Sequence, residues 1–351
     1  LGVIEKRGML NDFLQIKYYV LNDNDSTVRW SDGSISRAPY HNVPYTFEYK
    51  EDLSTPNRYV YKMKDSFNIG FGVDKAITYQ RLKTDGEYED LIYSRGRYGA
   101  IENEEYYLNI AYLNYEDHQK VLKDYPHLGG LTYSSLAPKR YERLTRSSNL
   151  SVKFYEFNTR RYPYEADIRQ GSVLPTPEFV NEYGTEIPYN TAVSGTLDGS
   201  KHVIEYTRLD GTNIIDGPGE LILSLPLAYY NRGTIYHSYR YNVFLYDEDY
   251  KLITFDNHTS LPSVNVYSKV MRSYHTPKAV KKMTLVPIGG RISTPPENEL
   301  YVYTQEKIDE VRSNSLTNTL KDVKVSTNKI SFKTDYASEK FVVTTIPYDK
   351  A

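Results

Sequence analysis

The stretch that decides the fold is LDGSKHVIEYTRLDGTNIIDGPGELILSLPL, at residues 197–227. It holds three Asp-Gly dipeptides with alternating hydrophobic residues between them, which is a strong signal for β-hairpins. Period-two alternation places Leu221, Leu223, Leu225 and Leu227 on one face of a single strand. The stretch therefore predicts an antiparallel sheet that turns one face toward a core.

The alternation continues at residues 235–246. We expect the odd positions in the core, namely Ile235, His237, Tyr239, Tyr241, Val243 and Leu245. The even positions place Tyr236, Arg240 and Tyr246 on the outside, where tyrosine rings suit stacking on sugars. Strands at this spacing, with no helix between them up to about Tyr303, predict a β-sandwich or jelly roll.

The pattern of hydrophobic residues differs before and after this region. Before residue 149, strand-like runs at Phe13–Leu21 and Arg58–Met63 alternate with helical spacing at Asp85–Ser94 and from Tyr112 to Leu122, which predicts a mixed α/β domain. Pro126, Gly129 and Gly130 end that helical spacing.

After residue 303, a short helix is expected with Thr304 as its N-cap and with Ile308 and Val311 on its buried side. Three strand-like runs follow it, and they look like a β domain that lacks a partner strand: Val323–Ser326, Lys329–Thr334 and Phe341–Ile346.

The predicted fold class is thus α+β and multidomain. An N-terminal mixed α/β domain (1–148) is followed by an antiparallel, jelly-roll-like β-sandwich that resembles a carbohydrate-binding module (149–303). A helix and a partial C-terminal β domain (304–351) complete the chain. The length of 351 residues independently predicts two or three domains of roughly 150 residues.

Composition excludes several classes of protein. The chain has 43 lysine and arginine residues against 45 acidic ones, so its net charge of -2 gives no attraction to nucleic acid. The absence of cysteine excludes disulfides and thiolate metal sites. The longest stretch without a charged residue, Tyr125–Pro138, has 14 residues, fewer than the ~20 that a membrane-spanning helix needs.

No catalytic or cofactor motif is present. The seven histidines never fall at the HExxH or HxH spacing of a zinc site, and neither a Walker loop nor GxSxG occurs. The Gly70-Phe71-Gly72 triplet is interpreted as a strand end and turn, and the acidic run from Asn22 to Asp32 as a solvated turn in preference to a calcium loop. We therefore predict no metal, no cofactor and no catalytic residue.

One segment, 139–169, stands out by charge. It carries eight cations, interleaved with tyrosine and phenylalanine, against four acids. Arginine matches phosphate geometry and tyrosine suits sugars, so a polyanionic glycan or a phosphopolymer is a chemically reasonable ligand for this segment. A domain junction with solvated or paired charges explains the pattern more simply and is the favoured interpretation. The candidate binding residues, with those of the sandwich, are Arg140, Arg143, Tyr155, Arg160, Arg161, Tyr236, Arg240 and Tyr246.

The ends of the chain and its lack of cysteine bear on its origin. Leu1 stands in place of a methionine and no signal peptide follows, so we expect a piece of a longer protein. The absence of cysteine fits a bacterial cell-surface segment.

Several runs taken in order resemble one family. They are residues 14–20 (LQIKYYV), 68–74 (NIGFGVD), 300–303 (LYVY), 328–332 (NKISF) and 341–350 (FVVTTIPYDK). Together they resemble the extracellular region of the bacterial membrane protein YfhO family. Ala351 stands where that family has glycine, and the tryptophan that follows in the family is missing.

The resemblance implies the extracytoplasmic region of a polytopic membrane protein, similar to the lipid-sugar-dependent GT-C glycosyltransferases that decorate lipoteichoic or wall teichoic acid. In such proteins the catalytic carboxylate lies in the transmembrane half, so no catalytic residue is expected here. The implied partners are the protein's own transmembrane half and a teichoic acid or other surface glycan. Two alternatives stay open: a free-standing surface glycoside hydrolase with a β-sandwich module, and a purely structural domain.

Overall fold

The structure is a computed structural model that describes residues 17–22, 27–30, 35–37, 41, 43, 47–64, 69–78, 110–128, 141–157, 163–164, 183–194, 197–198, 202–226, 240–259, 269–288, 291–292, 299–327 and 329–344. Within these ranges the protein is mostly antiparallel β-sheet with few helices.

The strands follow the chain in this order: β1 (Tyr18–Asn22), β2 (Thr27–Trp30), β3 (Ile35–Arg37), β4 (Phe47–Tyr49), β5 (Arg58–Met63), β6 (Gly70–Val73), β7 (Lys75–Thr78), β8 (Ile110–Leu113), β9 (Glu142–Thr145), β10 (Leu150–Phe157), β11 (Pro163–Tyr164), β12 (Tyr183–Ile187), β13 (Leu197–Asp198), β14 (His202–Arg208), β15 (Gly219–Pro226), β16 (Arg240–Tyr246), β17 (Leu252–Thr259), β18 (Lys269–Thr276), β19 (Lys282–Ile288), β20 (Arg291–Ile292), β21 (Glu299–Thr304), β22 (Lys321–Ser326), β23 (Lys329–Lys333) and β24 (Phe341–Thr344). The α-helices are α1 (Tyr115–Asp124), α2 (Tyr189–Ser194) and α3 (Gln305–Leu316), and short 3-10 turns lie at Glu51–Leu53 and Pro126–Leu128.

Two large antiparallel sheets form the centre. A six-stranded sheet has the order β12-β10-β14-β19-β16-β17, and a four-stranded sheet has the order β18-β15-β21-β9. Their facing side chains form one hydrophobic cluster, the shared core, with Phe154, Ile204 and Leu285 from the first sheet and Leu223 and Leu300 from the second. Two layers that share one core are the arrangement that period-two alternation dictates.

The four-stranded sheet is buried on both of its faces. Leu221 and Leu223 face the shared core, whereas Ile222 between them packs into a second cluster with Tyr301, Tyr303 and residues of α3, β6 and β7. Since successive side chains of a strand point to opposite faces, the sheet acts as a middle layer between two cores.

The N-terminal region adds smaller sheets. Strands β1, β5 and β4 form an antiparallel sheet in the order β1-β5-β4, β11 joins β2 and β3, and β7 pairs with β8 in parallel. Helix α1 begins after Asn114, whose side-chain oxygen accepts a hydrogen bond from the N–H of Asp117 at 2.8 Å. It ends at Asp124, ahead of Pro126.

Several sequence expectations are confirmed. Strand β5 has the bounds expected for it, and Leu221, Leu223 and Val243 are buried in the shared core. Helix α3 begins one residue after Thr304, with Ile308 fully buried. Leu225 lies in β15 and Tyr241 in β16, but the structure does not describe their side chains. Tyr239, Leu227 and the segment Asp85–Ser94 lie outside the described residues.

Three expectations are wrong. The span between residues 149 and 303 does contain a helix, α2, which packs Ala192 into the shared core. Tyr112 lies in β8 and not in a helix, because the long-range parallel pairing of Ile77 with Tyr112 overrides the local helical spacing. Gly70 does stand at a strand end, but no turn follows it: Phe71 and Gly72 continue β6, and a Cβ on Gly70 would stand 2.5 Å from the carbonyl oxygen of Val343.

Strand pairing runs across both expected domain boundaries. Strand β9, which precedes residue 149, pairs with β21 of the four-stranded sheet, and β24, which follows residue 304, pairs with β6. The C-terminal strands therefore do not lack partners, since β22 and β23 pair with each other. Local pattern shows where a strand lies but not which distant strand it joins.

The helices that the structure describes are all too short or too polar to span a lipid bilayer.

Candidate functional site

The cations of segment 139–169 that the structure describes all have partners. Arg143 donates to Glu299, whose carboxylate also accepts the hydroxyl of Tyr301 at 2.8 Å. The guanidinium of Arg146 lies 3.3 Å above the ring centre of Tyr189. Arg140, Arg160 and Arg161 lie outside the described residues, as do Lys139 and Arg169.

Lys153 is the third described cation of this segment, and its Nζ lies 3.2 Å from a carboxylate oxygen of Glu186 on the adjacent strand. The hydrogen bond to Glu186 is the main reason that the pKa of Lys153 is raised, and the hydrogen bond to Glu299 does the same for the pKa of Arg143. Such pairing at the surface is expected at a domain junction. The neighbouring carboxylates also reduce the net positive charge that these cations present to a polyanion.

A bidentate ion pair links an interior strand of the six-stranded sheet to the edge strand of the four-stranded sheet. Arg208, at the end of β14, donates through Nη1 and Nη2 to the two carboxylate oxygens of Glu142 on β9, at 2.8 and 2.5 Å. Asn149 adds a hydrogen bond to Glu142 at 3.2 Å. The bond to Glu142 raises the pKa of Arg208, so this arginine has a structural partner rather than a free binding surface.

The face of the six-stranded sheet that points away from the shared core is called the second face here; it carries Glu205, Phe244, Tyr246, Lys282 and Thr284. The Lys282 side chain, 5% exposed, lies 3.3 Å from Glu205, which is 13% exposed. Its ammonium also stands 5.5 Å from the ring centre of Tyr246, and burial lowers the pKa of Lys282.

This burial corrects the expectation that Tyr246 faces outward, because only 2% of its surface is exposed. The run Val243–Tyr246 is buried at every position, as in a strand that is covered on both faces, and alternation alone cannot reveal such a strand. Arg240 begins the same strand with its side chain outside the description, and Tyr236 lies outside the described residues.

Tyr155 is half-buried on β10, paired in register with Glu186 and Val203. Burial is the main reason that its pKa is raised, followed by the carboxylate of Glu205. It belongs to the six-stranded sheet, whereas Arg143 belongs to the edge of the four-stranded one. The structure therefore places Tyr155 and Arg143 in different sheets, while Tyr246 is buried in the second face.

A different group forms the best candidate site, called the tyrosine platform here and made of His41, Tyr49, Tyr59 and Tyr61. Tyr49 and Tyr61 are directly paired across β4 and β5, with ring centres 5.4 Å apart. Tyr59 lies 6.4 Å from Tyr49, and the His41 ring lies 4.3 Å from Tyr59. Four rings thus lie together on one face of the β1-β5-β4 sheet.

The platform has both a polar and an apolar character. His41 Nδ1 and the hydroxyl of Tyr61 are hydrogen-bonded at 2.5 Å, and burial raises the pKa of Tyr61, which keeps that hydroxyl protonated. Tyr49 is 45% exposed, while Tyr59, Tyr61 and His41 are half-buried. A tyrosine ring with an accessible face and a wet hydroxyl suits a polyhydroxylated ligand.

The sequence contained part of this signal. Tyr59 and Tyr61 alternate in the strand run at 58–63, which puts both on one face, and Tyr49 ends a second aromatic run. Nothing in the sequence places His41 against them, because it comes from a segment between strands and its contact spans 20 residues.

The described residues offer little for catalysis or metal binding. In these ranges no three histidine, aspartate or glutamate side chains are grouped as a metal site would require. A cleft of about 470 Å³ lies beside α3, with the lining residues Lys64, Pro218, Gln305, Asp309, Arg312, Ser313 and Leu316. Its single acid, Asp309, already accepts a hydrogen bond from Gln305 at 2.8 Å, so the cleft holds no pair of carboxylates for acid–base chemistry.

Comparison of the chain with family models, with curated proteins and with solved structures gives no match.

Proposed function

We propose that this chain is a non-catalytic, glycan-contacting region on the extracellular face of a bacterial membrane, belonging to a polytopic protein similar to GT-C glycosyltransferases. Its ligand is lipoteichoic acid, wall teichoic acid or another surface glycan, and its other partner is the protein's own transmembrane half. The observation that carries the proposal is the tyrosine platform.

The platform supports the proposal because of how its rings are presented. Tyr61 packs against a small buried cluster of Val43, Phe47 and Met63 on this face, yet Tyr49 is 45% exposed while its ring lies beside those of Tyr59 and Tyr61. Adjacent rings form a surface wide enough for a sugar ring, and the hydroxyls at their edges can bond its hydroxyl groups. The contact would therefore be to the sugar substituents of the polymer more than to its phosphates, since the described cations of segment 139–169 are paired.

The finer fold assignment is part of the same proposal. From β14 to β21 the chain crosses repeatedly between the two large sheets, with β14, the β16–β17 pair and β19 in one and β15, β18 and β21 in the other. This alternation favours a jelly roll like that of carbohydrate-binding modules within an α+β, multidomain chain.

A titration of purified lipoteichoic acid against the wild type and Tyr49→Ala tests the proposal. We expect the variant to bind roughly tenfold more weakly, because an aromatic contact is worth about 0.5–1.5 kcal/mol beyond its buried area. Tyr18→Ala is the matched control: Tyr18 is 49% exposed on the same sheet but pairs with Lys62, on the opposite face. It should bind as the wild type does.

Equal affinity of wild type and Tyr49→Ala would exclude the platform as the contact. Absence of any glycan binding by the wild type would favour the purely structural alternative. Turnover of a glycoside by the purified chain, abolished by replacing one carboxylate, would favour the hydrolase.

A further inference from the structure

Strands β22 and β23 form an exposed hairpin, called the C-terminal hairpin here. Val325 and Ile330 are directly paired, and Phe332, two residues from Ile330 along β23, shares their face. The register shifts between Lys321 and Lys324, so the regular pairing covers only the part of β22 that follows the shift. Val325 is 67% exposed and Phe332 40% exposed, whereas most valines and phenylalanines of the described core are nearly fully buried. One face of the hairpin is therefore an uncovered apolar row.

The other face of the hairpin is basic. Residues 321–333 include one acid, Asp322, and four lysines: Lys321, Lys324, Lys329 and Lys333. Lys321 pairs with Asp335 and Lys333 with Asp322, while Lys324 and Lys329 make no ion pair with any residue that the structure describes. The hairpin is thus amphipathic and carries a net positive charge in a chain whose total is -2.

The base of the hairpin is firmly anchored. Leu320 is fully buried, and its N–H donates to the carbonyl of Gly70 at 3.0 Å. The Tyr336 hydroxyl donates to the carbonyl of Asn318 at 3.0 Å, and the Tyr336 ring packs so closely on Gly72 that a Cβ there would stand 2.7 Å away. These contacts fix the position of the hairpin relative to β6, so the apolar row is exposed at a defined position.

We propose that the C-terminal hairpin lies flat on the surface of an anionic lipid bilayer, with its apolar row entering the interface and the lysines of its opposite face close enough to be attracted by the headgroup charge. Charge complementarity argues for this partner, because lysines close to an anionic bilayer each strengthen binding, and burial of the apolar side chains on the opposite face of the hairpin adds to it. An isolated two-stranded hairpin is also only marginally stable in water, so an interface that covers it would stabilise it. The proposal does not depend on glycan binding.

Flotation with vesicles tests it, with phosphatidylcholine alone against phosphatidylcholine mixed with phosphatidylglycerol. We expect the wild type to float only with the anionic vesicles, and less so as salt rises. Val325→Asp with Phe332→Asp should abolish binding. Lys324→Gln with Lys329→Gln should weaken it roughly thirtyfold, since each lysine near such a surface contributes about 1 kcal/mol.

Matched controls separate the hairpin from general charge effects. Leu53→Asp with Leu209→Asp changes two exposed apolar residues elsewhere, and Lys62→Gln with Lys123→Gln removes two exposed charges elsewhere. Both should bind as the wild type does. All four pairs change exposed or half-exposed side chains, and circular dichroism checks that each variant is folded.

A second readout uses the absence of cysteine. A fluorophore on Thr327→Cys, at the hairpin turn, should be quenched by brominated lipid in anionic vesicles, while one on Thr185→Cys, on the exposed edge of β12, should not. Absence of flotation, flotation that the Val325 and Phe332 changes leave intact, or equal quenching at both positions would each overturn the proposal.

Discussion

The second face of the six-stranded sheet and the tyrosine platform use similar residues in opposite ways. On the second face, Tyr246 is buried beside the Lys282–Glu205 pair, and its ring stacks on that of Phe244. On the platform, Tyr49 lies against two other tyrosines and remains half in water. The chain has 37 tyrosines against 11 phenylalanines. The difference between the two regions shows that some of these tyrosines pack in the core, whereas others form an accessible surface.

The largest expected effect tests whether the second face is core and the platform is surface. Phe244→Ala should lower the free energy of unfolding by about 3–5 kcal/mol, because it opens a cavity at a fully buried position. Tyr49→Ala should change it by only about 0.5 kcal/mol. Denaturant titration of both variants measures the contrast, and similar losses in the two would break the comparison.

A smaller effect is expected from the buried ion pair. Glu205→Gln leaves the Lys282 ammonium buried without its counter-charge, which should cost about 1–3 kcal/mol of the free energy of unfolding. Glu186→Gln is the control, since it makes the same change in the exposed pair with Lys153 and should cost less than about 1 kcal/mol.

The same variant has a pH dependence with a definite sign. Burial lowers the pKa of Lys282 in the folded protein, so the unfolded chain binds more protons between that pKa and the ordinary lysine value of about 10.4. The free energy of unfolding therefore gains from Lys282 as pH rises. The loss of that free energy caused by Glu205→Gln should become smaller toward pH 10. A cost that grows with pH would contradict the burial of Lys282.

The smallest expected effect concerns the buried phenol of Tyr246. Burial raises the pKa of Tyr246 in the folded protein. The stabilisation that its protonated phenol gives the folded state is therefore complete below the pKa of about 10 in the unfolded chain, and it is lost as pH rises above that value. Tyr246→Phe should therefore show a shallower loss of stability between pH 9 and 11 than the wild type does. Tyr18→Phe, at an exposed ring, is the control, and identical profiles for wild type and Tyr246→Phe would show that the phenol is not sealed.

Sequence alone determined the local features of this protein. Its aromatic and β-branched residues placed β5 at its observed bounds. Alternation turned Leu221, Leu223 and Val243 to the core, because a strand's side chains have a period of two wherever one face is buried. The helix after Thr304 was readable for a similar reason, since its apolar positions follow a helical period.

Tertiary structure decided what depends on distant partners. Pairing of β24 with β6, burial of Tyr246 on a second covered face and the approach of His41 to Tyr61 each join residues whose own neighbourhoods do not encode the contact. The same holds for the cations of segment 139–169: their density was plain in the sequence, but only the fold brought Glu299 to Arg143 and Glu186 to Lys153. Local sequence determines on which face of a strand a side chain lies. The free energy of packing distant segments decides whether that face is buried or exposed to water.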